Sequence, residues 1–266
     1  MKTNVCIAGA TGWVGSALAL AIAESDDLEL TAAISRSKQG ENLGTVLNTP
    51  EIDLTISGSI EAALQTAADV LVDYTKPEAV KLHALTAISQ GVHVVIGTSG
   101  LTDEDYREIG EAAKKHNVGV LAAGNFAITA VLLMRFAEIA AQYVPHWELI
   151  DYASAGKKDA PSGTVRELAN RLSQVAAPEF AHPVAETVGP KESRGATVSG
   201  SQVHSLRLPG YVISAEAIFG LPDERLTIRH DAGSSPDPYV AGTLLAVRQV
   251  SSFVGLKRGL DKVMDM

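Results

Sequence analysis

Gly9, Gly12 and Gly15 directly follow the apolar run Asn4 to Ala8 and open a helical pattern that continues to Ala23. Glycines in that position let a chain leave a strand by a tight turn, bring its backbone against a pyrophosphate and pack a helix closely. The spacing is GxxGxxG, so Gly9, Ala10, Thr11, Gly12, Trp13 and Val14 are the expected phosphate-binding residues. The next chemical signal stands at the end of the second apolar run, Leu28 to Ile34. A carboxylate there would hold a ribose 2′-hydroxyl, but the residues are Ser35, Arg36, Ser37 and Lys38. Two hydroxyls, a guanidinium and an ammonium suit a 2′-phosphate, with Arg36 as the planar two-point donor. The expected cofactor is NADPH, with NADH also possible.

Two further loops of small residues, Gly97-Thr98-Ser99-Gly100 and Ala123-Gly124-Asn125-Phe126, each follow an apolar run. Ligands collect at such strand ends in open α/β sheets, and small residues let a nicotinamide ring approach the backbone. Later, Lys157, Lys158 and Asp159 precede Ser162-Gly163-Thr164, where a helical pattern begins. The first N–H groups of a helix lack partners of their own and attract an anion. Ser162, Gly163 and Thr164 are thus candidates to bind an anion, and Lys157, adding charge from the same loop, is the candidate catalytic cation. A simple helix cap explains Ser162 equally well. Arg207 and Arg229, on later strand-like runs, read either as further carboxylate ligands or as solvated arginines. His204 and His230 read either as structural or as substitute acids. None of the seven histidines has metal-ligand spacing, so no metal is expected.

The elements that must position these residues fall into two styles. In the first half, apolar runs at 4–8, 28–34, 70–74, 93–96 and 118–122 alternate with helical patterns at 12–23, 60–67, 77–89 and 102–116. That alternation predicts an α/β fold with a parallel Rossmann-type sheet, and strands apolar throughout are those covered on both faces. After Asn125 come helices at 128–143 and 162–174 and strands at 147–152, 201–208, 211–219 and 225–230. Consecutive strands joined by short turns predict a second, α+β domain with a mostly antiparallel sheet. The expected division is 1–125, completed by a C-terminal helix within 236–266, and 126–235.

Composition narrows the partners. A formal net charge of −9 argues against nucleic acid. No apolar stretch approaches the roughly 20 residues of a membrane helix, and no cleavage signal is visible at Met1 to Asn4. The single cysteine, Cys6, lies in an apolar run and fits a reducing compartment, so the cytoplasm is the expected location.

The chain resembles the dihydrodipicolinate reductase family along essentially its whole length. The likeness rests on the glycine turn, Val72 to Glu78, Val95 to Gly100, Asn125-Phe126, the string Lys157 to Thr164 with its KxDAPSGT pattern, and Arg225 to His230. It implies an NAD(P)H reductase of lysine and diaminopimelate synthesis acting on a small cyclic carboxylated substrate. It further implies a homotetramer built through the second domain and a terminal helix returning to the first. Cofactor contacts would fall on Gly9 to Val14, Ser35, Arg36, Gly97 to Ser99 and Ala123 to Phe126, and substrate contacts on Ser154, Lys157, Ser162, Gly163 and Thr164. One departure is marked. The family carries a His-His pair, the first taken as acid or base, where this chain has Ala153 and Ser154; its later Gly-Glu-His run is altered at Ser214-Ala215-Glu216. Three readings follow: the same reaction with Lys157, Tyr152 or water giving the proton; another imine or conjugated acid as substrate; or NADPH binding without catalysis. Tyr152 adjoins position 153 on a strand and so should point to the opposite face.

Overall fold

The computed structural model describes residues 2–265. In chain order its elements are β1 (Thr3–Ala8), α1 (Trp13–Ala23), β2 (Leu28–Ile34), α2 (Leu43–Leu47), α3 (Ile60–Ala63), β3 (Val70–Asp73), α4 (Pro77–Ser89), β4 (His93–Ile96), α5 (Asp103–Lys115) and β5 (Gly119–Ala122). There follow α6 (Ile128–Ala141), β6 (His146–Ala153), α7 (Gly163–Val175), β7 (Ala196–Val198), β8 (Ser201–Arg207), β9 (Ile213–Leu221), β10 (Glu224–Ala232), α8 (Asp237–Gln249) and β11 (Gly255–Arg258). The chain divides into two compact units, residues 1–128 with 236–266, and residues 129–235.

The first unit is a six-stranded parallel sheet in the order β11-β5-β4-β3-β1-β2. Its interior strands β3 and β5 are buried at every residue, as double-faced covering requires. The register aligns Ile34, Ala8, Asp73, Ile96, Ala122 and Arg258 in one row at the carboxyl edge. The chain leaves β1 for β2 on one side and returns to β3 on the other, so the switch point lies beside the glycine turn. Local chemistry sets the helix ends. Pro77 occupies the first turn of α4, and α5 carries a Thr102–Asp105 capping box, an acidic first turn and Lys114-Lys115 in its last. Cys6 is fully buried, and that burial, with Asp73 second, pushes its thiol up to about 12.

The second unit is a five-stranded mixed sheet, β10-β9-β6-β8-β7, with helices α6 and α7 on one face. Trp147, Leu149, Val203, Ala217 and Phe219 point from the sheet into a core closed by Leu133, Met134, Ala137, Val165, Leu168 and Leu172. The other face carries Glu148, Ile150, Tyr152, His204 and Glu216.

The fold class is the expected one, and three local readings are corrected. The strands either side of Leu208-Pro209-Gly210 do not pair as a hairpin: β6 lies between β8 and β9 and runs parallel to β8. The helical pattern 60–67 stops at Ala63, where Leu64 to Thr66 close it with short-range bonds. The last segment is not helix alone, because Gly255, at φ 94, turns the chain into β11 as the sixth parallel strand.

Candidate active site

In the first unit, the glycine turn is held to the end of β2 by the Gly9 and Ala10 N–H groups, both donated to the Ile34 carbonyl at 2.9 and 3.1 Å. Gly9 has φ 87, and a Cβ on Gly15 would lie 2.1 Å from the Gly9 carbonyl oxygen. Neither position tolerates a side chain. No side chain caps α1, so the N–H groups of its first turn face outward from an uncapped positive helix end. Trp13 is 56% exposed there and meets the Tyr239 ring edge-on at 5.7 Å.

A cavity of about 630 Å³ runs along this edge, lined by Gly9, Thr11, Gly12, Ser35, Arg36, Ser37 and Lys76 among others. Thr11 Oγ1 and Ser35 Oγ are 2.7 Å apart, which fixes the β2 loop against the turn. Arg36 is exposed and its side chain makes no ion pair with the described residues. Lys38 does pair, at 3.2 Å with Glu41. The unpaired ammonium lining the cavity is Lys76, which sequence reading missed because it sits beyond β3, forty residues further on in the chain. Glu61 and Glu78 also line this cavity.

The loops after β3, β4 and β5 meet on Asp73 and Tyr74. Asp73 is fully buried; its Oδ1 accepts from the Thr75 N–H (2.9 Å), Thr75 Oγ1 (2.7 Å) and Thr98 Oγ1 (2.8 Å), and Oδ2 bonds His83 Nδ1 at 2.7 Å. Thr98 is thereby occupied inward, while Ser99 is exposed. Thr243 Oγ1 donates to the Tyr239 carbonyl, so the 2.7 Å bond between Tyr74 and Thr243 has the phenol as donor. Burial pushes the Tyr74 ionisation up, away from any role as a base. A Cβ at Gly97 would lie 2.3 Å from this ring, and Phe126 packs on it at 6.0 Å. Asn125 Oδ1 accepts the Ala127 N–H, while Ala123 and Gly124 stay partly or wholly exposed. The glycines, free amides, unpaired Arg36 and a cavity of this volume together fit a dinucleotide.

In the second unit, β6 ends at fully buried Ala153 and the exposed loop from Ser154 leads to α7. Lys157 Nζ is 2.8 Å from Asp159 Oδ1, an interaction that holds the Asp159 carboxyl below the usual carboxylate range. Ser162 is 1% exposed; its hydroxyl accepts from the Val165 N–H and its own N–H donates to Asp151 Oδ2. It is spent on capping. Gly163 and Thr164 remain at the surface of the helix start.

The four ambiguous side chains now have places. Arg207 is held by Asp151 at 2.7 Å, and Arg229 by Asp231 and Glu216 while lying over the Tyr152 ring. His204 bonds Glu148 on the face opposite Ala153. His230 is 6% exposed, bonds Thr129 Oγ1 at 2.9 Å and lies on the same face as Ala153; burial lowers its proton affinity. Tyr152 points away from Ala153, as strand alternation requires, and donates to Glu216 Oε2 at 2.9 Å. Burial, then that carboxylate, raise its ionisation.

Comparison with known proteins joins the two halves. The model of the dihydrodipicolinate reductase N-terminus matches residues 3–126, and that of its C-terminus matches residues 129–266. The chain belongs to the dihydrodipicolinate reductase family. It is 39% identical to 4-hydroxy-tetrahydrodipicolinate reductase of Desulfitobacterium hafniense strain DCB-2, over 99% of both chains. With the Thermosynechococcus vestitus protein of the same name it shares 37% identity, over 98% of this chain and 96% of the other. A dipicolinate-bound dihydrodipicolinate reductase from Paenisporosarcina sp. TG-14 superposes with a TM-score of 0.88 at 30% identity, over 99% and 100% of the two chains. The chain is accordingly an NAD(P)H-dependent oxidoreductase. No described helix is long and apolar enough to cross a membrane, and no described group of three or more His, Cys, Asp or Glu is placed to hold a metal.

Proposed function

We propose that the chain reduces 4-hydroxy-tetrahydrodipicolinate, in lysine and diaminopimelate synthesis, with NADPH as the preferred donor. The observation carrying this is the full-length family match together with a retained Lys157-to-Thr164 loop at the α7 N-terminus. The bound cofactor supplies a hydride; the protein supplies position and charge. Gly9 to Val14 receive the pyrophosphate on the α1 amides, and Ser35 and Arg36 receive the 2′-phosphate, Lys76 adding a second charge. Gly97, Ser99 and Ala123 to Phe126 border the nicotinamide, with Thr98 holding their loop to Asp73. The N–H groups of Gly163 and Thr164 hold one substrate carboxylate. Lys157 neutralises a second carboxylate or the charge that develops on reduction, and Ser154 contacts the ring. Ala153 gives no proton, so the proton comes from Lys157 or from water.

Freshly generated substrate, mixed with NADPH and followed at the nicotinamide absorbance, tests this directly. Turnover supports the reading; tight NADPH binding with no oxidation overturns it. Ala153 and Ser154 favour one second reading, reduction of a different imine or conjugated acid, which a screen of cyclic imines and oxo acids would reveal. Binding without any catalysis is the remaining outcome of that screen. The polar face of the second-unit sheet, with Tyr152, Glu216 and Arg229, suits a homotetramer; sedimentation at the mass of a single chain would remove that proposal. A cytoplasmic location agrees with the lone, buried Cys6.

A further inference from the structure

Asp151 and Arg207 form an ion pair beneath the loop that carries Lys157. Asp151 is fully buried and the Arg207 side chain is 17% exposed. A buried carboxylate needs several donors to offset its lost hydration. Its Oδ2 has three: Arg207 Nη2 at 2.7 Å, the Ser162 N–H at 2.9 Å and Ser205 Oγ at 3.2 Å. Arg207 also turns both terminal nitrogens to main chain, while its Nε and Asp151 Oδ1 have no partner among the described residues. Nη1 bonds the Leu206 carbonyl at 2.8 Å, and Nη2 also reaches the Asp159 carbonyl at 2.6 Å. Ala153 is the register partner of Arg207 and places only a methyl group beside it, on the face shared with Asp151.

The two residues thus grip the loop at two points. Asp151 fixes its far end through Ser162, and Arg207 fixes its middle through Asp159. The near end hangs from the Ser154 N–H on the Val212 carbonyl, and the Lys157 N–H donates back to Ser154. Between these anchors every residue from Ser154 to Ala160 except Lys157 is exposed. The Asp159 side chain in turn pairs with the Lys157 ammonium. A continuous path runs from the buried carboxylate through the guanidinium and the Asp159 backbone to the Lys157 charge.

We infer that Asp151 and Arg207 are positioning residues that hold the Lys157 loop in its substrate-binding shape. Arg207 touches the loop rather than the substrate, because its terminal nitrogens are already engaged. The inference rests on reading Lys157 as the substrate cation, but its central claim, that the pair orders the loop, is tested without substrate. Removing Arg207 alone would strand a buried carboxylate and could unfold the chain. The deciding variant is therefore Asp151→Asn with Arg207→Met, which removes both charges, nearly conserves volume and leaves an oxygen to accept the Ser162 N–H. Amide hydrogen exchange is expected to show Lys157 protection falling tenfold or more, with Leu149 in mid-β6 unchanged. In the same variant KM for the carboxylated substrate rises at least tenfold, kcat falls less, and Kd for NADPH is unchanged. Arg207→Lys, which keeps the buried charge paired, is the second variant and loses the same protection, since an ammonium lacks the two-pronged reach. Unchanged Lys157 exchange in either folded variant overturns the inference, whichever substrate the enzyme proves to use. Absence of wild-type turnover would count against the functional reading alone.

Discussion

Under the proposed function, Lys157 and Arg36 are the two cations that meet substrate and cofactor, and each makes a separable prediction. Lys157→Ala should lower kcat/KM for the carboxylated substrate by about 10²-fold or more, the scale of losing one preorganised charge. Kd for NADPH should stay the same, so steady-state kinetics beside a fluorescence titration settles the assignment. Arg36→Ala should weaken NADPH by about 1.5–3 kcal/mol, the worth of a charge-assisted hydrogen bond, or roughly ten- to a hundredfold. NADH should be barely affected, and a wild type that prefers NADH would refute the 2′-phosphate argument. At this scale the sequence was legible where a residue type has one use. Three glycines after a strand predict a tight turn, and Gly9 at φ 87 with Gly15 packed against it makes one. It was illegible where one type has two: Arg207 and Arg229 could have been ligands, and only their bonds to Asp151, Asp231 and Glu216 show that they are committed elsewhere.

At the scale of elements, Tyr74 and His93 do work that no motif announces. Gly97→Ala would drive a methyl into the Tyr74 ring, so cofactor affinity should drop while Tyr74→Phe, which loses only a bond to Thr243, should cost about 1 kcal/mol of stability. Thermal melts with and without NADPH distinguish the two. His93 lies at the start of β4, where Nδ1 accepts the Gly119 N–H at 2.8 Å across to β5. Burial lowers its proton affinity below the ordinary 6.5, and a proton on Nδ1 would break that bond. The unfolded chain therefore binds more protons below pH 6.5, so stability is full above that value and falls as the pH drops toward the folded-state value. Urea midpoints should be lower at pH 5.5 than at 7.5, and His93→Gln, which accepts without titrating, should shrink the difference. Periodicity revealed five of the first unit's six strands because that sheet is covered on both faces. It missed β11, whose four residues include Lys257 and Arg258, and it paired β8 with β9 because the turn between them is short. Sequence proximity predicts a hairpin; here β6 has been placed in the gap.

At the scale of the molecule, the first unit is discontinuous. Residues 1–128 lack their sixth strand, and Tyr74 lacks its Thr243 partner, until residues 237–258 are added. Gly242 also packs so tightly that a Cβ there would lie 1.9 Å from the Phe126 carbonyl oxygen. Vectorial synthesis thus gives the nascent polypeptide an order it cannot rearrange: the five earlier strands emerge first and must wait through the whole of 129–235 before the sheet can close. A chain halted at residue 235 should bind NADPH at least tenfold more weakly than the 266-residue protein, whereas adding 236–266 as a separate peptide should restore part of the affinity. Nucleotide competence would then be a report that translation has passed the second unit, acquired at the finish rather than at the start.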